Sequence, residues 1–160
     1  MGRLRPPETF DAALALVRRD RPSRRWGTFP TTADIGIWAS GPSAAALLEG
    51  LGLALFGLFS DPRRVRPREE RSVRAEGTDP AELAVAFLTE LLVLQETEGF
   101  LARRIDARTR GQPATSVTAR LLGEPFDPRR HAARTEVKAI TYHDLLFDER
   151  AGHARVIVDL

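Results

Sequence analysis

The spacing of apolar residues changes at Gly99, and this change constrains the fold more than any other feature of the sequence. Before Gly99, two stretches repeat apolar residues every three to four positions, as a helix with one buried face does. These residues are Leu47, Leu48, Leu51, Leu55, Phe56 and Phe59, and then Leu83, Ala84, Phe87, Leu88, Leu91 and Leu94. After Gly99, apolar and polar residues alternate, which is typical of strands.

Capping residues mark the beginnings of the two predicted helices. Ser43 precedes the first apolar stretch, and its hydroxyl is a good acceptor for the free amides of a first turn. Asp79 precedes the second, with Pro80 at the first helical position and Glu82 in reach of the cap, which is a capping-box pattern. Asp61 and a following proline end the first helix.

The remaining elements are short predicted strands. They cover residues 26–29, 34–39, 72–75, a run around 101–105, 115–121, 136–147 and 154–159. Two helices with several antiparallel strands predict an α+β fold of two layers, in which both helices cover one face of the sheet. The 160 residues suffice for one domain. We assign residues 26–160 to that domain and residues 1–25 to an N-terminal extension with a short amphipathic helix over 8–20.

Composition excludes several classes of protein. The absence of cysteine excludes disulfides and thiolate zinc sites. No apolar run is long enough to span a bilayer, and the N-terminus lacks the pattern of a secretory signal, so we expect a cytoplasmic protein without a membrane partner. The net charge of +2 does not by itself indicate a nucleic-acid-binding protein.

Two carboxylates suggest a metal site. Asp34 begins one predicted strand and Asp159 ends the last one, immediately before the terminal carboxylate of Leu160. If the two strands pair, these anionic groups meet at one edge of the sheet, which is costly unless protons or a cation neutralise them. Oxygen ligands alone suit calcium or magnesium. Spacing alone equally allows the simpler interpretation that both aspartates are ordinary solvated strand ends.

A polar segment, Gly123 to His131 followed by Glu136 to His143, mixes acids, bases and histidines and offers weaker candidates. Thr141, His143 and Asp144 contain the groups of a hydrolase triad, but neighbouring strand residues point to opposite faces and converge poorly. His131, His143 and His153 lack the spacing of a zinc site. Loop ends and a solvated strand face are the simpler interpretation of this segment.

Arginines cluster between Arg63 and Arg74, interspersed with acidic residues. Such a run could contact phosphate, but it lacks the aromatic residues on which unpaired bases stack. We interpret it as an exposed loop of mixed charge.

Several of these stretches together resemble the archease family. The matching positions are the run from Trp26 to Pro30 with Thr31-Thr32-Ala33-Asp34, then Gly41 and Asp61, then Gly123-Glu124, Asp127, Arg130-His131 and Glu136 to His143, and finally Asp159-Leu160. They occur in the family's order across residues 26–160. One departure is Thr31, which stands where the family has a histidine.

The resemblance implies an accessory protein without a reaction of its own. Archeases act on the RtcB-type RNA ligase of tRNA splicing and RNA repair, where they promote guanylylation of the ligase and sustain multiple turnover. Contact with tRNA or other RNA would then be indirect, through the ligase. The family's metal site maps onto Asp34, Asp159 and Leu160, and calcium is the expected ion, with magnesium as the alternative.

The resemblance also suggests a partner surface. Glu136, Lys138 and His143 lie in the later family motif, and Lys138 is the only lysine in a chain whose other basic side chains are arginines and histidines. Two other functions stay open. One is a divalent-metal-dependent phosphoester hydrolase with Asp34 and Asp159 as ligands and Lys138 or His143 assisting. The other is a plain RNA-binding module that uses the arginine loop.

Overall fold

The computed structural model describes residues 25–160. In chain order the elements are β1 (Trp26–Pro30), β2 (Ile35–Ser40), α1 (Ala44–Phe59), a 3-10 turn (Pro62–Arg64), β3 (Glu69–Glu76), α2 (Pro80–Glu98), β4 (Phe100–Arg110), β5 (Ser116–Pro125), β6 (Ala139–Ile140), β7 (Leu146–Asp148) and β8 (His153–Asp159). The α+β class and the two helices are confirmed. The helix predicted over residues 8–20 lies outside the described residues.

The strands form two antiparallel sheets. The first has the order β1-β2-β8-β6, with β7 also pairing with β8, and the second has the order β3-β5-β4. Alternating apolar residues identify the buried face of a strand but not its neighbour, so the division into two sheets was not visible in the sequence.

One hydrophobic core joins the two sheets. Both helices contact strands of each sheet, and the core draws side chains from all of them. Its largest fully buried aliphatic and aromatic members include Leu47, Leu51, Leu55, Phe87, Leu88 and Phe100. Burying each such side chain contributes roughly 1.5–3 kcal/mol, so this core is the main source of stability.

The predicted helix ends are confirmed. Ser43 Oγ accepts a hydrogen bond from the Ala46 amide at 3.1 Å, and an Asp79 carboxylate oxygen accepts one from the Glu82 amide at 2.8 Å. At the other end of α2, Gly99 has a φ of 66°, a left-handed conformation in which glycine lacks the steric penalty of a side chain. Within the described residues, neither helix combines the length and apolarity needed to span a membrane.

The strand predicted over 136–147 is wrong in its extent. Only β6 and β7 are regular there, and both pair along the same side of β8. Between them the Thr141 hydroxyl donates to the Ile157 carbonyl oxygen at 2.9 Å, and Asp144 adopts a φ of 50°. The Leu145 amide then donates to the Tyr142 carbonyl oxygen at 3.2 Å, so a tight turn that includes Asp144 interrupts the strand before the chain pairs with β8 again.

Candidate functional site

Asp34 and Asp159 lie at the same end of neighbouring strands. β2 and β8 pair antiparallel, with Ile35 opposite Val158. Asp34 immediately precedes Ile35 and Asp159 immediately follows Val158, so the register brings the two aspartates side by side at this end of the first sheet. The pairing on which the sequence hypothesis depended is therefore present.

Local hydrogen bonding fixes the backbone at Asp34. The hydroxyl oxygen of Thr31 accepts a hydrogen bond from the Asp34 amide at 3.0 Å, within the four-residue turn between β1 and β2. Asp34 is half-buried, whereas Asp159 is exposed. Thr31, the residue that replaces the family histidine, therefore has a structural role here: it closes the turn that presents the Asp34 carboxylate.

Lys138 reaches the same end of the sheet from the other side of β8. Residues 132–138 have no regular secondary structure, and we call this segment the strap. The Lys138 amide donates to the Asp159 carbonyl oxygen at 2.8 Å, directly before Ala139 pairs with Asp159 in β6. The backbones of Asp34, Asp159 and Lys138 thus lie in three adjacent segments at the same end of the first sheet.

The strap is attached at several points before it reaches Lys138. The Thr135 amide donates to the Leu58 carbonyl oxygen at 2.9 Å, and the Arg134 amide donates to that of Phe59 at 3.0 Å. These carbonyl groups belong to the last turn of α1, where no intrahelical donor remains. Val137 is buried in the core. The position of Lys138 is therefore defined by packing as well as by its own hydrogen bond.

Glu136 and His143 occupy different surroundings. Glu136 is exposed and lines a groove of about 410 Å³ beside Phe126 and Phe59. His143 is exposed in the loop between β6 and β7, where its Nε2 lies 3.3 Å from an Asp144 carboxylate oxygen. No hydrogen bond connects either residue to the Asp34–Asp159 edge in the described structure, so the three predicted surface residues do not form one tight cluster.

A cation at this edge would have carboxylate oxygens of Asp34 and Asp159 and a main-chain oxygen of Leu160 as candidate ligands, and oxygen ligands suit calcium or magnesium. Among residues 25–160, no three or more aspartate, glutamate and histidine side chains are grouped so as to hold an ion. Two carboxylates with main-chain oxygens would therefore make an open site, in which water or a partner supplies the remaining ligands.

The hydrogen bonds among Thr141, His143 and Asp144 are not those of the hydrolase triad considered from the sequence. The loop brings His143 and Asp144 together, contrary to the expectation for a strand, but the Thr141 hydroxyl already donates to the Ile157 carbonyl oxygen. The Thr141 oxygen accepts from the His143 amide at 3.3 Å instead of engaging its imidazole. These hydrogen bonds stabilise the loop, and none of them would activate the Thr141 hydroxyl as a nucleophile.

A buried polar cluster lies in the segment that sequence analysis interpreted as solvated, and that interpretation is wrong for Glu124 and His131. Glu124 is 3% exposed and His131 is 1% exposed. One Glu124 oxygen accepts from the Arg66 amide at 2.6 Å and lies 3.1 Å from His131 Nε2, while the Arg130 guanidinium donates to both oxygens.

These contacts set the charge and tautomer of the cluster. The Arg130 guanidinium, together with the Arg66 amide and His131, lowers the pKa of Glu124 to about 2 despite its burial. The Asp127 amide donates to His131 Nδ1 at 2.8 Å, so Nε2 carries the proton that is donated to Glu124. The cluster ties β5 to the loop before β3 and to the segment that leads into the strap.

Comparisons with known proteins agree with this architecture. Residues 26–160 match the model of the Archease protein family. The archease of Pyrococcus abyssi is 36% identical over 127 residues, which cover 79% of this chain and 89% of that protein. The archease of Methanopyrus kandleri is 36% identical over 140 residues, covering 84% of this chain and 99% of that protein. The solution structure of protein 1598 of Methanobacterium thermoautotrophicum superposes with a TM-score of 0.69 at 31% identity, covering 86% and 99% of the two chains.

Proposed function

The chain belongs to the archease family, and from that premise we propose that it is a non-catalytic accessory protein that activates an RtcB-type RNA ligase. Its action is to promote guanylylation of the ligase and so to sustain multiple turnover in tRNA splicing and RNA repair. RNA is then a partner of the ligase and not of the Asp34–Asp159 edge.

The observation that carries this proposal is the meeting of Asp34, Asp159 and Lys138 at one end of the first sheet. The three residues belong to separate family motifs, far apart in sequence, and only the fold brings them together. Two acidic residues and one lysine would give this end of the sheet a small charged surface, on backbone that hydrogen bonds hold in place. Such a surface suits recognition of a partner protein, because polar groups held in place lose little conformational entropy on binding.

The proposed metal is calcium, held by Asp34, Asp159 and Leu160. Such an ion supplies positive charge that neutralises the adjacent carboxylates. The protein's own part is to hold β2 against β8 and to close the Thr31 turn, so that the two aspartates lie next to each other at the ends of neighbouring strands. Lys138, whose amide is bonded to Asp159, is a candidate cationic contact for the ligase.

Guanylylation of the cognate ligase with and without this protein tests the proposal. We expect the protein to increase the number of ligations per ligase molecule and to hydrolyse no phosphoester by itself. Unchanged ligase turnover together with metal-dependent phosphoester hydrolysis by the protein alone would favour the hydrolase instead. Salt-sensitive binding of RNA to the protein without any effect on the ligase would favour the RNA-binding module.

A further inference from the structure

A cleft of about 700 Å³ lies between β1, the C-terminal half of α1 and the strap. We call it the β1–α1 cleft. Apolar groups line part of it: Trp26, Leu53, Ala54, Gly57 and Leu58. A Cβ atom added to Gly57 would lie 3.6 Å from the Trp26 ring, in ordinary van der Waals contact, so a larger side chain there would occupy the part of the cleft beside the indole. This volume is within the usual range of small-molecule sites, about 300–1,000 Å³.

Three arginines line the same cleft, and each is anchored to the protein. Arg103 Nη1 donates to the Pro62 carbonyl oxygen at 2.7 Å, and Arg134 Nη1 donates to that of Gly57 at 3.2 Å. Arg63 donates through Nε and Nη2 to the two oxygens of Asp61, at 3.2 and 3.0 Å. A guanidinium has five N–H donors, so each arginine keeps donors beyond those used in anchoring.

Arg103 enters the cleft because of an irregularity in β4. Ala102 pairs with Gly123 and Arg104 pairs with Leu122, which leaves Arg103 as the extra residue of a β-bulge. Bulges redirect side chains and occur next to binding sites more often than chance predicts. Here the bulge separates two neighbouring arginines: Arg103 lines the β1–α1 cleft, whereas Arg104 lines a different cavity with Glu49.

The charges around the cleft leave a net positive potential. The three guanidinium groups face one carboxylate, Asp61, whose pKa is lowered to about 2 by its hydrogen bonds with Arg63 and which is therefore ionised at neutral pH. The C-terminus of α1 contributes about half a negative charge. The sum is about +1.5, enough to favour an anion. The strap already donates hydrogen bonds to two carbonyl groups of the last helical turn, which reduces this negative contribution.

We propose that the β1–α1 cleft binds a phosphorylated nucleoside, with its phosphate on the three arginines and its base against Trp26 and the apolar wall. The guanidinium groups match phosphate in geometry and charge, and an indole face is a surface on which a base stacks. The apolar wall distinguishes this from a site for phosphate alone. The ligand is either a free mononucleotide or the nucleotide at the end of an RNA strand. The inference does not depend on the ligase role.

Tryptophan fluorescence tests the proposal directly. The chain has two tryptophans, and Trp38 is fully buried, so quenching on ligand addition reports on Trp26. The probes are AMP, GMP, adenosine, inorganic phosphate and a short oligoribonucleotide with a terminal phosphate. We expect saturable quenching by the mononucleotides, and affinity weaker by about tenfold or more for adenosine and for phosphate. Tighter binding of the oligonucleotide would assign the site to RNA ends, and tighter binding of the mononucleotides would assign it to free nucleotides.

Matched variants separate this site from general electrostatic attraction. Arg103→Ala should weaken mononucleotide binding by about tenfold or more, whereas Arg104→Ala, at the next position outside the cleft, should leave it unchanged. Gly57→Leu should abolish binding by filling the space beside Trp26 without changing any charge. In the unmodified protein, mononucleotides should shift the amide resonances of Thr28 and Gly57, which requires no variant to fold.

Three results would overturn the proposal. They are the absence of saturable binding by any nucleotide, equal affinity for inorganic phosphate and mononucleotides, and equal weakening by Arg103→Ala and Arg104→Ala.

Discussion

Replacing Glu124 by glutamine should destabilise the fold far more than a surface ion pair would predict. Every group around the Glu124 carboxylate is a donor: the Arg66 amide, the Arg130 guanidinium and, through its Nε2 proton, His131. A glutamine amide would direct its own N–H groups at some of these donors. The substitution would therefore remove charge-assisted hydrogen bonds and leave buried donors unpaired while keeping the shape of the side chain.

The size of the effect follows from the pKa. Its fall from 4.5 to about 2 corresponds to about 3–3.5 kcal/mol of favourable interaction with the ionised form, at about 1.4 kcal/mol per pKa unit. Removing one partner of a buried ion pair costs roughly 3–5 kcal/mol in other proteins, which agrees. We expect Glu124→Gln to lower the free energy of unfolding by about 3 kcal/mol at neutral pH.

The stabilisation should depend on pH in a defined direction. Because the pKa of Glu124 is lower in the folded protein, its contribution is complete above pH 4.5 and is lost as the pH falls towards about 2. Urea denaturation at several pH values, followed by circular dichroism, measures this. The difference between the unmodified protein and Glu124→Gln should be constant near neutral pH and should shrink below pH 4.5.

A matched control is available on the surface. Glu70 forms an ion pair with Arg120 at 3.0 Å, but its side chain is 53% exposed. Glu70→Gln should cost less than about 1 kcal/mol, because solvent screens exposed pairs. Equal losses for the two variants, or a loss at Glu124 that persists unchanged to pH 2, would refute the argument that this buried carboxylate is held ionised by its partners.

Three further predictions concern the metal, the lysine and a helix cap. Calcium should raise the free energy of unfolding by about 2.7 kcal/mol at about 100 times its Kd, and Asp34→Asn should abolish this rise in thermal melts; a zinc preference that depends on a histidine would contradict it. Lys138→Ala should weaken ligase activation while leaving calcium affinity, measured by calorimetry, unchanged. Asp79→Ala should lower stability by about 1 kcal/mol, because the Glu82 amide loses its acceptor; an unchanged urea midpoint would count against that cap.

Local features were predictable from the sequence because their causes are local. The caps at Ser43 and Asp79 depend on residues three positions away, and both hydrogen bonds are present. The placement of Asp34 and Asp159 was also accessible as a hypothesis, since both flank strands with clear apolar alternation. Whether the two strands pair could not be decided from periodicity, because period-two spacing carries no information about neighbours.

Sequence analysis missed features that depend on contacts between residues far apart in the chain. Glu124 was interpreted as solvated, yet its hydrogen bond to the Arg66 amide spans 58 residues of sequence. The bulge at Arg103 likewise arises from the register between β4 and β5 and leaves no signature in the residues themselves. The strand predicted over 136–147 is interrupted by a turn from Tyr142 to Leu145, in which Asp144 adopts a φ of 50°; this local feature was missed as well.

The most direct test of the account is guanylylation of the cognate ligase in the presence of Asp159→Asn. Asp159 is exposed at the end of β8, so the substitution should leave the fold intact while removing one carboxylate from the Asp34–Asp159 edge. The control is Asp106→Asn, which changes another exposed aspartate, on β4 in the other sheet. We predict that Asp159→Asn abolishes activation and that Asp106→Asn retains it. Full activation by a folded Asp159→Asn variant would contradict the claim that this edge is the working surface.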